Sequence, residues 1–123
     1  MRHAVLVLVV ATTLVPIAGC EPRGGGSDSP TIVMTEMRFS PNRIDAKVGQ
    51  PLGIRLINQG SQRHDLAFQA LHMPGLSGVE TALEPGQSTT IILRFDEPGT
   101  HTFICTIPGH FAAGMSGAVF VSP

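Results

Sequence analysis

Cys105, His110 and Met115 stand in one run, Cys-Thr-Ile-Pro-Gly-His-Phe-Ala-Ala-Gly-Met, with four residues between each neighbouring pair. A thiolate, an imidazole and a thioether are the soft and borderline donors that a redox copper ion uses. Donors this close in sequence converge on one ion only if the chain makes a tight loop. The residues between them suit that. Pro108-Gly109 is a turn pair, and Gly114 gives the backbone freedom just before the methionine.

A mononuclear copper site built for electron transfer is trigonal, with two imidazoles and a thiolate around a weak axial thioether. One more histidine is therefore needed, and His64, His72 and His101 are the candidates. His64 follows the loop from Asn58 to Arg63, at the start of a short strand, where a rigid scaffold usually holds functional side chains. His101 precedes Cys105 by four residues on one strand, which puts it on the same face but about 13 Å away. His72 lies in an irregular stretch, and geometry does not exclude it; His72-Met73 could also serve a second soft metal, although a partly exposed loop pair is the plainer reading. Zinc fits less well, because a thioether is a poor zinc donor. A binuclear copper site would need a second cysteine in the loop, and none follows Cys105. With all four positions filled, no open coordination site is left for a substrate, which argues against an enzyme.

The elements that must position these donors are short. The chain has 123 residues, enough for one domain, with 8 basic and 9 acidic side chains, so no charge excess points to nucleic acid. Charged residues make up 14%, while Gly (14) and Pro (10) are frequent, a balance that favours strands and turns over long helices. Strand signals run over 31–39, 43–48, 52–57, 64–68, 87–95, 100–105 and 117–121. Ile44, Ala46 and Val48 alternate with Arg43, Asp45 and Lys47, a period of two with one buried face. Residues 69–84 are less regular, and 78–83 has room for one short helical turn. Seven to eight strands punctuated by Pro-Gly turns predict an all-β Greek-key β-sandwich over residues 31–123.

The first residues read differently. Arg2 and His3 precede an apolar run from Ala4 to Ile17, and Ile17-Ala18-Gly19-Cys20 resembles the lipobox of bacterial lipoproteins. The run is shorter than the roughly 20 residues of a membrane span. Residues 1–19 are thus expected to be a signal peptide and Cys20 the lipidated first residue. The segment 20–30, rich in Gly and Ser, is expected to be a flexible linker. A plain secretory signal with an incidental cysteine, or an uncleaved anchor, is the alternative. If Cys20 is acylated, it cannot pair with Cys105, and Cys105 becomes a lone exported thiol that a metal would occupy.

The chain resembles the cupredoxins, the type 1 blue copper family, and its ligand loop is most similar to the rusticyanin and sulfocyanin type. The likeness extends through Phe39-Ser40-Pro41, Val48-Gly49, Asn58-Gln59-Gly60 before His64-Asp65, and Pro98-Gly99-Thr100 before Phe103. It implies one copper ion held by His64, Cys105, His110 and Met115. It also implies one-electron transfer, with the exposed ring edge of His110 as exit. Ile107, Pro108, Phe111, Ala112, Ala113 and Ala118 are expected to surround the site with little polarity, which with a methionine ligand predicts a high reduction potential. Small apolar side chains around the His110 edge are expected to form a flat patch for brief encounters with a redox partner. The expected partners are a c-type cytochrome or a membrane oxidoreductase complex, met by a monomer anchored outside the cytoplasm, in the periplasm or at the cell surface. Storage, buffering or delivery of copper without redox turnover is the competing function, since it uses the same ligands.

Overall fold

Alternating apolar residues dictate where the strands lie. In the computed structural model, which describes residues 29–69 and 81–123, eight strands form: β1 (Thr31–Thr35), β2 (Arg38–Ser40), β3 (Arg43–Lys47), β4 (Leu52–Asn58), β5 (Ala67–Phe68), β6 (Ser88–Leu93), β7 (Gly99–Ile104) and β8 (Ser116–Ser122). They make two four-stranded sheets, β2-β1-β4-β6 and β3-β8-β7-β5. Every connection from β2 to β7 passes from one sheet to the other, so the protein is an all-β sandwich, as the turn spacing predicts. Among the described residues no helix is long and apolar enough to cross a membrane. The expected signal peptide, Cys20, and the pair His72-Met73 lie outside the described residues, as do residues 78–80 of the expected 78–83 turn.

The inward faces interdigitate. Ile32 and Met34 of β1, Ile54 and Leu56 of β4, and Leu93 of β6 meet Phe103 of β7 and Val119 of β8, all at most 1% exposed. Phe39 and Phe68 each stand edge-on to Phe103, with ring centroids 5.1 and 5.8 Å apart, an arrangement that aromatic quadrupoles favour. Burying a side chain of this size contributes roughly 1.5–3 kcal/mol. Gly117 faces Phe103 across the β7–β8 ladder. A side chain there would collide with that ring and with the Asn42 carbonyl.

Three element boundaries differ from the sequence reading. The expected strand 31–39 is a hairpin, because Met37 takes a left-handed φ of 56° and reverses the chain between Val33–Thr35 and Arg38–Ser40. No Gly, Asn or Pro marks that turn, so composition gives no sign of it. Glu36, also in the turn, accepts a hydrogen bond from the Ser61 backbone N–H. The expected strand 64–68 shortens to Ala67–Phe68, with His64 reduced to an isolated bridge to Leu83. The Thr- and Ile-rich strand runs over 88–93 rather than 87–95.

What the sandwich supplies to the site is one end. Ile104 pairs with Ser116, and the ladder continues one step as the Cys105 N–H donates to the Met115 carbonyl at 3.2 Å. The run from Cys105 to Met115 is therefore the connection of a hairpin, with its first and last donors side by side at the base.

Candidate metal centre

The loop between Cys105 and Met115 is closed by its own turns. The His110 N–H donates to Ile107 O, Ala113 N–H to Gly109 O, Gly114 N–H to Phe111 O and Met115 N–H to His110 O, at 2.8–3.0 Å. Gly109 and Gly114 sit at φ of 86° and 100°, a region side chains avoid, which is why glycine stands at those two corners. The coiled loop turns His110 inward, and only 4% of that residue is exposed.

His64 arrives from the other side. Its N–H donates to Leu83 O at 3.1 Å and its carbonyl accepts from the Leu83 N–H at 2.8 Å. The loop leading to it is braced by Asn58, the last residue of β4, whose amide donates to Gln62 O and Leu83 O at 2.8 Å each. The same side chain accepts the Gly60 N–H at 2.9 Å. Asp65 then ties the two ligand segments together. Its carboxylate accepts the Thr106 N–H at 2.6 Å and the Thr106 hydroxyl, so the residue after His64 is clamped to the residue after Cys105.

The result is three buried donors converging. His64 Nδ1 lies 3.2 Å from His110 Nδ1, which lies 3.5 Å from Cys105 Sγ. All three donor atoms fall within 4.8 Å of one another. Burial raises the Cys105 thiol above its ordinary range, while burial and the neighbouring His110 lower His64. At neutral pH the metal-free cluster thus holds an uncharged thiol and an uncharged His64 ring, and binding a metal releases the thiol proton. Donors bonded at about 2.0–2.3 Å to one ion have separations of this size. Two buried ring nitrogens 3.2 Å apart, beside a free buried thiol, are what a shared cation would satisfy. Thiolate and imidazole with a thioether at the loop base select copper rather than zinc.

The expected residues come out as follows. His64, Cys105 and His110 are brought together. Met115 is fully buried at the base of the loop. His101 is not in the cluster: its ring lies against Phe95 with centroids 4.6 Å apart. The expected exposed edge of His110 is corrected, because the ring is buried and its Nε2 lies 3.1 Å from Gln62 Oε1. The expected apolar surround holds only in part. Ile107 packs on the core, but Phe111 is 48% exposed and Pro108, Ala112 and Ala113 face solvent, while Ala118 pairs with Thr102 along β7. Asn58 and Asp65 entered the sequence reading only as part of the family likeness, with no role assigned, and Thr106 and Gln62 were not singled out.

Comparison with known proteins agrees with the geometry. The family model for the cupredoxin-like domain matches residues 4–116. Auracyanin-B of Chloroflexus aurantiacus is 46% identical over 41 residues, which is 33% of this chain and 17% of that protein. The copper-resistant cuproprotein CopI of Rubrivivax gelatinosus is 31% identical over 105 residues, covering 73% of this chain and 64% of CopI. The chain thus spans less than two thirds of either relative. Among solved structures, reduced auracyanin from Roseiflexus castenholzii superposes with a TM-score of 0.66 at 24% identity, over 80% of this chain and 100% of that one, which speaks for the fold. These likenesses carry the family, and not the rusticyanin or sulfocyanin subtype of its loop.

Proposed function

The chain belongs to the cupredoxin-like family, whose cofactor is one copper ion, and on that premise we propose that it is a one-electron carrier. The observation that carries the reading is the convergence of His64, Cys105 and His110, three buried donors within 4.8 Å. Bound copper supplies a couple that gains and loses one electron. The protein's part is to hold the donors still, so that little moves between the two charge states. The bridge to Leu83, the Asp65–Thr106 clamp and the turns of the loop do this. Met115, at the loop base beside Cys105, would supply a thioether as fourth donor to the ion. With four positions filled the ion has no site open to a substrate, and the proposal is of a carrier and not an enzyme.

The finer parts of the reading rest on the sequence. Residues 1–19 serve as a signal, Cys20 carries lipid, and the Gly- and Ser-rich segment leaves residues 31–123 tethered outside the cytoplasm as a monomer. A tether raises the effective concentration of the domain near membrane redox complexes. A c-type cytochrome or a membrane oxidoreductase complex is the proposed partner. The likeness to CopI, a copper-resistant cuproprotein, supports a second reading, in which the same ligands buffer or deliver copper.

Loading the protein with copper(II) separates the two. A carrier turns intensely blue, from charge transfer out of the Cys105 thiolate, and bleaches and recovers through repeated reduction and oxidation. Cys105→Ser is expected to lose the band entirely. A colourless wild type that retains only copper(I) would favour buffering, and a blue band surviving in Cys105→Ser would dismiss the ligand assignment.

A further inference from the structure

His110 faces the cluster with one ring nitrogen, while the other meets a residue from a different loop. Its Nδ1 lies toward Cys105 Sγ and His64 Nδ1, and its Nε2 lies 3.1 Å from Gln62 Oε1. We propose that Gln62 is a positioning residue for the metal centre: it fixes the His110 tautomer and covers the outer edge of that ring with a neutral amide. The proposal rests on the copper reading above.

The chemistry is constrained. The Gln62 amide turns its oxygen to the ring, and since that oxygen only accepts, the contact in this arrangement places the hydrogen on His110 Nε2. A neutral imidazole carries one such hydrogen, which leaves a lone pair on Nδ1, the nitrogen that faces the other two donors. Donation of that hydrogen from the outer nitrogen to the amide oxygen also makes the inner nitrogen a better ligand. The placement of Gln62 is itself built. Its backbone carbonyl accepts from Asn58 Nδ2 at 2.8 Å, and that amide also bonds Leu83 O, the backbone partner of His64. The segment that delivers one imidazole therefore orients the other. Within the loop from Cys105 to Met115 the histidine is held by backbone turns and, at its inner nitrogen, by the Cys105 Sγ contact; its outer nitrogen is held from the other loop, by Gln62. A partner approaching the His110 edge meets the Gln62 amide, whose residue is exposed to solvent.

The test uses protein labelled with nitrogen-15 in its imidazoles, read by NMR without metal and with copper(I), and by visible absorption with copper(II). Wild type is expected to hold His110 with its hydrogen on Nε2, protected from solvent exchange. Gln62→Leu keeps the bulk and removes the acceptor. Its Nε2 hydrogen is expected to exchange about tenfold faster, the loss of roughly one hydrogen bond, and the tautomers to mix in the metal-free protein. Gln62→Glu retains an acceptor oxygen and is expected to restore both readouts. An unchanged tautomer and exchange rate in a well-dispersed, folded Gln62→Leu protein overturns the role of Gln62. So does a Gln62→Glu protein that behaves like Gln62→Leu. A wild type that never turns blue overturns instead the copper reading beneath it, so the two failures are told apart.

Discussion

The two imidazoles of the centre are held in opposite ways. His64 is fixed through its backbone, by a reciprocal pair of hydrogen bonds to Leu83 and by the Asp65 clamp that follows it. Its own outer nitrogen, Nε2, is buried without a hydrogen-bond partner. That atom faces the space Gly60 leaves: a side chain there would lie 3.0 Å from His64 Nε2, 3.1 Å from Glu36 Oε1 and 3.3 Å from Asn58 Oδ1. His110 is the reverse. Its backbone belongs to a run of turns, and its outer nitrogen is bonded to the neutral amide of Gln62. One ring is held by the scaffold and looks toward a carboxylate; the other is held by a side chain and looks toward an amide. Removing what holds His64 should therefore cost fold stability, whereas removing what holds His110 should cost mainly orientation.

The largest effect is expected where the two devices share a part. Asn58 bonds Leu83 O beneath His64, Gln62 O beside His110 and the Gly60 N–H between them. Asn58→Ala removes three hydrogen bonds at a fully buried position, at about 1 kcal/mol each, so about 3 kcal/mol in total. Urea unfolding of the metal-free protein measures it, and both imidazoles should shift in the NMR spectrum. If only one ring responds, the two are held independently and the shared brace is wrong.

Next is the clamp. Asp65 is almost fully buried, and its carboxylate accepts two hydrogen bonds from Thr106. Asp65→Ala removes those two hydrogen bonds and is expected to cost about 2 kcal/mol, at about 1 kcal/mol each. Gln62→Leu, which removes a neutral contact at the surface, should cost at most about 1 kcal/mol. Equal losses for the two variants, measured side by side in denaturant, would erase the asymmetry between the rings.

Why the donors were legible and their supports were not follows from the same geometry. Cys105, His110 and Met115 are carried by local spacing, and the period of two in β3 placed Ile44 in the core. Asn58, Gln62 and Asp65 act across contacts that sequence spacing does not encode: Asp65 reaches Thr106 from a different loop, and Gln62 reaches His110. The Glu36-Met37 turn was hidden for a different reason. A left-handed φ at a methionine lacks the glycine or asparagine that ordinarily announces it. The burial of His110 was missed because the expectation for that ring came from resemblance, and the amide that covers it stands two residues before His64, outside the ligand loop.

The smallest effect tests the charged side of the comparison. Glu36 lies in an exposed turn, yet its carboxyl is lowered to about 2, chiefly by the hydrogen bond from the Ser61 backbone, with His64 a minor contributor. The carboxylate thus favours the folded state above pH 4.5, the ordinary value for glutamate. That contribution fades as pH falls from there through about 2. Glu36→Gln should be less stable than wild type at pH 7, with the gap in Tm closing across that acid window; a gap that stays constant with pH would remove Glu36 from the account. In the copper-loaded protein the same substitution deletes a negative charge near the outer face of His64. It should raise the reduction potential slightly, because solvent screens an exposed charge. Gln62→Leu deletes no charge, so its effect on the potential must come through ring orientation and should not share the salt dependence of Glu36→Gln. If both shifts shrink equally with added salt, the two imidazoles do not differ in the way their neighbours suggest.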